Sequence, residues 1–229
     1  GHYCILEHGE IRVRQYWDAD FTAEIGFESS DDCAEALKEL LIDATRLQLR
    51  SDVPVGAYLS GGLDSSVITA LIKNYTDTPL RTFSVSFNDA NYDESIYQRQ
   101  MIEHLGTNHS DIRCDAEDIG RVFPEVIWHS EKPILRTAPA PLFLLSKLVR
   151  ESGYKVVLTG EGSDEVLAGY DIFKEVKIRK FLERAPRSAW RPLILKRLYP
   201  YLANSPVRSL PYAEAFFRAD QSDYPDIFQ

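Results

Sequence analysis

The chain has 229 residues, 44% of them hydrophobic, and a formal net charge of −9; that is room for one large domain or one and a half small ones with a proper core, and the acidic balance speaks against a general nucleic-acid binder. No run of about 18 apolar residues occurs, so nothing reads as a membrane span. Three scattered cysteines, Cys4, Cys33 and Cys114, form no Cys-x-x-Cys and imply neither a disulfide framework nor a zinc site, and a reducing, cytoplasmic setting is the expectation.

The opening residues read as folded sequence rather than a signal peptide. Residues 3–6 and 11–14 are two short strands around a turn, with Gly9 at a positive-φ position. Residues 17–30 are acidic and irregular, like a linker. Ser30, Asp31 and Asp32 then offer an N-cap and an acidic first turn. Leu37, Leu40, Leu41, Ala44 and Leu47 recur at helical spacing up to about Arg50. An apolar run over 55–59 predicts a strand, and Val67, Leu71 and Ile72 predict a helix over 65–75. Beyond Pro79 come a strand over 82–87, a helix over 93–105 closed by Gly106, a strand over 109–113 and a helix over 117–129. A proline-punctuated loop, 132–141, leads into a helix over 141–151 and a buried-type strand over 154–159. From Tyr170 the pattern is helical and then Pro- and Tyr-rich. A basic stretch between Lys174 and Arg197 alternates with apolar residues and reads as a solvated helix face.

This alternation predicts an α/β fold: a mostly parallel sheet with helices on both faces, a short N-terminal β-hairpin and a helical C-terminal extension. In such sheets ligands bind beyond the carboxyl ends of the strands, which directs attention to the loops after Leu59, Phe87 and Thr159. The first of these is Ser60-Gly61-Gly62-Leu63-Asp64-Ser65-Ser66, between a strand and a helix. A helix N-terminus with unpaired N–H groups faces such a loop, and phosphate is its usual guest. Gly61 and Gly62 let the backbone turn and approach an anion, and Ser60, Ser65 and Ser66 add hydroxyl donors. A carboxylate at Asp64 beside phosphates calls for a cation between them, for which Mg²⁺ is the natural choice. The loop is neither a Walker A nor a dinucleotide fingerprint. An ordinary Gly-Gly turn with a capping serine or Asp64 is the other reading of the same letters.

Thr159-Gly160-Glu161-Gly162-Ser163-Asp164-Glu165 repeats the theme after the strand at 154–159. Asp64 and Asp164 together make a Mg²⁺ pair. Glu161, between two glycines, is placed to orient a nucleophile or take a proton. For Asp164-Glu165 alone, an acidic helix N-terminus is the plainer explanation.

With Gly169-Tyr170 and the 133–141 loop that holds Arg136, these two motifs resemble the synthetase domain of glutamine-hydrolysing asparagine synthetases. The first loop is similar to the pyrophosphate loop of the ATP pyrophosphatase superfamily (adenine nucleotide alpha hydrolase-like). The resemblance runs from about Leu40 to Tyr170. It implies that ATP and Mg²⁺ bind at the carboxyl end of the sheet, that aspartate is adenylated to β-aspartyl-AMP with release of pyrophosphate, and that ammonia, free or glutamine-derived, displaces AMP. It implies that residues from Ser60 to Ser66 hold pyrophosphate and that Leu59, Val85, Thr159 and Gly160 line the nucleoside pocket. It further assigns Mg²⁺ to Asp64 and Asp164, the amination step to Glu161, and phosphate contact to Arg136. Thr159 stands where the family often has serine, which keeps the hydroxyl.

Three segments follow from the resemblance: 1–24 as the tail of a preceding glutaminase domain, 25–185 as the synthetase core, and 186–229 as the start of an incomplete helical region. A free-standing hairpin packed on the main domain is the alternative for the first. The family's downstream lysine has no evident counterpart after Tyr170, and Lys174, Lys177 and Lys180 read as surface residues. The expectation is therefore a complete nucleotide-binding core with an unfinished acceptor site. Another adenylating amidotransferase of the same superfamily, or a non-catalytic nucleotide-binding module, remain the competing readings. Neither membrane nor nucleic acid is expected as a partner; family members are often dimers, which allows a homodimer.

Overall fold

The computed structural model describes residues 1–20, 26–89, 92–199, 209–211, 213 and 217. The chain divides into two compact units, Gly1–Gln48 and Leu49–Gln229. Most of the segment from 186 to 229 that was expected to open a helical region lies outside the described residues, as do 21–25 of the expected linker.

In the first unit, β1 (His2–Glu7) and β2 (Glu10–Gln15) pair antiparallel, with His2 opposite Gln15 and Glu7 opposite Glu10. His8 and Gly9 carry φ of 51° and 82°, the double positive-φ turn whose twist matches a right-handed two-stranded ribbon. Every residue of both strands is exposed. Helix α1 (Ser30–Gln48) begins with Asp31 and Asp32 in its first turn, where carboxylates meet the positive end of the helix dipole. The hydroxyl that accepts an orphan N–H is Ser29, from Asp32 N at 3.2 Å, one residue earlier than the sequence pattern indicates.

The second unit is built on a four-stranded parallel sheet of order β5-β4-β3-β6. Its strands are β3 (Val55–Tyr58), β4 (Arg81–Phe87), β5 (Asn108–Cys114) and β6 (Val156–Leu158). The helices are α2 (Leu63–Tyr75), α3 (Ser95–Leu105), α4 (Ala116–Ser130), α5 (Pro139–Glu151), α6 (Ser163–Leu167) and α7 (Asp171–Glu183). A 3₁₀ segment follows at Arg191–Arg197. Two crossovers carry the chain from β3 through β4 to β5. The third returns it past β3 to β6. Right-handed crossovers in opposite directions place their helices on opposite faces.

Side-chain alternation along β4 agrees with that layering. Phe83, Val85 and Phe87 belong to the apolar clusters formed with α4 and α5: Phe83 with Leu145 and Val149, and Val85 and Phe87 with Val122, Val126, Ala140 and Leu144. Thr82 and Ser84 alternate with them and are as buried as Phe83, but their hydroxyls bond groups on β5 and α3. Gly56 permits the tight β3–β4 approach, because a Cβ there would stand 2.8 Å from the Phe83 ring and 3.1 Å from the Arg81 carbonyl. A separate cluster of Leu182, Leu195, Leu198, Ala213 and Phe217 gathers α7 and the 3₁₀ segment.

Helix ends obey local chemistry. Asp115 caps α4 in a reciprocal capping box with Asp118, and Gly106 closes α3 in the left-handed region at φ 58°. Several boundaries shift by a residue or two from the sequence expectation, and two of the shifts have a clear cause. Helix α5 starts at Pro139, because Pro139 and Pro141 fall in the first turn, where no N–H is required. Strand β6 covers only three residues, since it pairs with β3 alone, through Val55, Gly56 and Ala57, and β3 is itself four residues long.

Candidate active site

The sheet order reverses between β3 and β6, which is where a crevice opens at the carboxyl ends of a doubly wound sheet. The two glycine loops converge there around a cavity of about 310 Å³. Leu59, Ser60, Gly62, Asp64, Ser65, Val85, Thr159, Gly160, Glu161 and Asp164 all line it. The two loops touch directly: a Cβ on Gly160 would lie 2.8 Å from Asp64 Cβ and 2.9 Å from both Asp64 C and Ser65 N.

The first loop is held by its own hydroxyls. Ser65 Oγ accepts from Ser60 N at 3.2 Å, lies 2.9 Å from Ser60 Oγ and donates to the Gly62 carbonyl at 3.2 Å. Ser60 Oγ accepts from Gly62 N at 3.2 Å. Gly61 has φ 88°, a conformation that disfavours any side chain, and a Cβ there would also meet Gln98 N at 2.9 Å. Helix α2 starts immediately behind, with Gly62 at its N-cap and no side chain bonded to its first N–H groups. That combination leaves donors directed at the cavity.

The second loop turns through Gly162, with φ 93°. Ser163 Oγ donates to the Gly160 carbonyl at 2.5 Å, and Glu161 N donates to Thr159 Oγ1 at 3.4 Å. Tyr170 donates its hydroxyl to Glu165 Oε1 at 3.2 Å. The Glu165 carboxylate, then burial, and then Asp164 and Glu161 more weakly, push the Tyr170 phenol above its ordinary range. Gly169 lies against Asp164, whose carboxylate a Cβ at 169 would strike. The wall of the cavity therefore carries five carboxylates: Asp64, Glu161, Asp164 and Glu165 on the two loops, and Glu94 just before α3.

Among the described residues no group of three or more His, Cys, Asp or Glu side chains is arranged as a self-contained metal site. Mg²⁺ is commonly held by one or two carboxylates together with substrate phosphates, and carboxylates on facing loops, one of them in the first turn of α2, fit that mode.

Three sequence-predicted residues stand apart from the cavity wall. Gly61 supports the loop from behind, against the first turn of α3. Ser66 bonds through its backbone to the Gly62 carbonyl, at 3.1 Å. Arg136 is exposed in the segment between α4 and α5 and is not among the lining residues. Conversely, Tyr58, Ser84, Tyr92, Glu94, Gln98, Leu142 and Tyr170 line the cavity without having been singled out as site residues. Gln98 carries a readable signal: with Ile102 and Leu105 it occupies one face of α3 at helical spacing, and it is a polar residue 5% exposed on that face.

A family model described as asparagine synthase matches residues 36–226. The asparagine synthetase [glutamine-hydrolyzing] 1 of Bacillus subtilis is 31% identical over 192 residues, covering 84% of this chain and 30% of that protein. The asparagine synthetase B [glutamine-hydrolyzing] of Escherichia coli is 32% identical over 80% of this chain and 35% of its own length. The amidase chyE of Penicillium rubens is 32% identical over 76% and 28%. The chain thus spans about a third of the length of these relatives. Among solved structures, the NH3-dependent NAD synthetase of Campylobacter jejuni aligns over 59% of this chain and 60% of that one, at 19% identity and a TM-score of 0.42. No helix among the described residues is long and apolar enough to cross a membrane. By the extent of the family match, the chain belongs to the asparagine synthase family.

Proposed function

We propose that this chain carries the ATP-using, amide-forming centre of an asparagine synthetase. One observation carries the reading: two glycine loops about a hundred residues apart in sequence join in one cavity, one presenting a helix N-terminus and hydroxyls, the other carboxylates. In the proposed reaction a β-carboxylate oxygen of aspartate attacks the α-phosphorus of ATP. The new O–P bond forms as the bond to the β-phosphate bridge breaks, and pyrophosphate leaves. Ammonia, free or derived from glutamine by a partner glutaminase domain, then attacks the acyl carbon. The C–O bond to AMP breaks, AMP leaves, and the nitrogen loses a proton.

This chain's residues divide that work. The Ser60–Ser66 loop binds the leaving pyrophosphate through N–H groups and hydroxyls, placing charge stabilisation where negative charge accumulates. Leu59, Val85, Thr159 and Gly160 enclose the nucleoside. Glu161, whose backbone is oriented by Thr159, accepts the proton from nitrogen. Asp64 and Asp164 would hold Mg²⁺, which offsets the charge of the triphosphate. Arg136 serves as a phosphate contact only if its segment approaches the cavity when substrate is bound. The expected setting is the cytoplasm.

Aspartate-dependent exchange of labelled pyrophosphate into ATP, with Mg²⁺ and beside an ATP-binding titration, tests the proposal. Exchange that depends on aspartate is the expected result. ATP binding without exchange would leave a nucleotide-binding module and remove the adenylation step from this chain. The second reading is an adenylating amidotransferase of the same superfamily with a different carboxylate acceptor. Exchange with acceptors other than aspartate separates the two.

A further inference from the structure

Strand β3 leaves the sheet before its neighbour does. Its last bond to β4 is from Leu59 N to the Phe83 carbonyl, at 2.9 Å. Strand β4 continues to Phe87, paired on its other side with β5 as far as Cys114. In a parallel ladder alternate residues turn their N–H and C=O to the same neighbour, so Val85 and Phe87, like Phe83, face the side that β3 has vacated. Those backbone groups need other partners. Side chains at and just before the start of α3 supply two of them: Asp93 Oδ1 accepts from Phe87 N at 3.4 Å, and Gln98 Nε2 donates to the Val85 carbonyl at 3.0 Å.

The second hydrogen of the same amide goes to the Ser60 carbonyl, at 3.2 Å. Gln98 therefore bridges the fork between the two strands at the point where the first glycine loop begins. Its orientation is fixed from behind. Gln98 Oε1 accepts from Ser84 Oγ at 3.1 Å, and Ser84 Oγ lies 3.1 Å from His109 Nε2. His109 Nδ1 lies 2.9 Å from Thr82 Oγ1, which lies 3.0 Å from Thr107 Oγ1. One assignment of hydrogens satisfies every link: each hydroxyl donates onward, and a neutral imidazole carries its proton on Nε2. With its oxygen held by Ser84, the amide of Gln98 presents only donors to the loop.

We propose that Gln98 is a positioning residue for the phosphate loop, fixing the Ser60 carbonyl and with it the course of the loop into the first turn of α2. The proposal rests on the reading of that loop as the phosphate site. It makes no contact with phosphate itself, because both amide hydrogens are committed to carbonyls. The backbone of the same residue supports Gly61, where a Cβ would come within 2.9 Å of Gln98 N.

Gln98→Met keeps the volume and removes both donors. Affinities for magnesium pyrophosphate and for adenosine are measured by calorimetry on wild type and variant. The expected result is pyrophosphate binding weakened by about tenfold, as for a lost pair of buried hydrogen bonds, with adenosine binding within about twofold of wild type. Equal losses for both ligands would reveal general loosening and overturn the proposal, as would unchanged pyrophosphate binding. Wild type that binds adenosine but no pyrophosphate would instead overturn the reading of the loop, and the proposal with it. A measurement on the unaltered chain covers a variant that fails to fold: the Gln98 side-chain amide resonances exchange slowly with solvent and shift on adding pyrophosphate. Rapid exchange with no shift would refute the role.

Discussion

Gly160→Ala is the sharpest test of how the two loops meet. Backbone strain is not at issue, since Gly160 is not in the left-handed region; space is. The added methyl would sit 2.8 Å from Asp64 Cβ and 2.9 Å from Asp64 C and Ser65 N. Two of those three atoms are backbone in the first turn of α2 and cannot swing away. Carbon atoms rest at about 3.5–4.0 Å, so the β3–α2 and β6–α6 segments must part by roughly 0.5–1 Å. Overpacking of this kind costs about 1–3 kcal/mol, offset in part by about 0.4–1 kcal/mol from a stiffer unfolded chain. A net loss of about 1–2 kcal/mol shifts a urea midpoint by roughly 0.5–1 M when the slope is about 2 kcal/mol/M. Gly120→Ala is the matched control: Gly120 lies inside α4 with nothing within 4 Å of an added Cβ, and the change stabilises by about 0.5–1 kcal/mol. Urea unfolding of both variants, with Mg·ATP affinity on each, is the assay. The expected pattern is a lowered midpoint and weakened nucleotide binding for Gly160→Ala alone. Equal midpoints in the two variants would refute the close contact of the loops.

Two further outcomes are expected. Asp64→Asn weakens Mg²⁺-dependent ATP binding while leaving adenosine binding unchanged; unaltered Mg·ATP affinity in a titration would remove Asp64 from the metal site. Burial holds the His109 imidazole below its ordinary value of 6.5, against a smaller opposing pull from Asp111. The unfolded chain therefore takes up this proton first as pH falls through about 6.5. Stability from this group is present above that pH, declines as pH drops toward the folded value, and levels off below it. His109→Gln removes that decline, which denaturation midpoints compared between about pH 7.5 and 5 would reveal. Parallel profiles for wild type and variant would contradict the assignment of a neutral, buried ring.

Much of this arrangement can be read from the letters because local chemistry and global packing agree. The turn at His8-Gly9, the Gly106 stop and the strand at Val55–Tyr58 follow from propensity and period. The two loops declare themselves because glycine, hydroxyl and carboxylate between a strand and a helix have few other uses. The extent of β6 is hidden, since its length is set by the partner strand rather than by its own apolar run. Gln98 is hidden for a related reason. Its partners, Ser60, Ser84 and Val85, come from elements remote in sequence, and only the apolar face it interrupts on α3 marks it. Arg136 is a different case: the resemblance assigns it a phosphate contact, and it lies exposed between α4 and α5, outside the residues that line the cavity.

The sheet order also has a consequence for chain entropy. Ala57 pairs with Thr82 on one side and Leu158 on the other. The second closure spans about four times as much chain, which at about 0.6 kcal/mol per doubling makes it about 1.2 kcal/mol more expensive. Emerging from a ribosome, the chain presents β3, the first glycine loop, β4 and β5 long before β6 exists. Any nascent segment ending before Val156 thus holds the hydroxyls and the helix N-terminus of the cavity with none of the carboxylates of the second loop, and the crevice becomes complete only when the last strand docks beside the first.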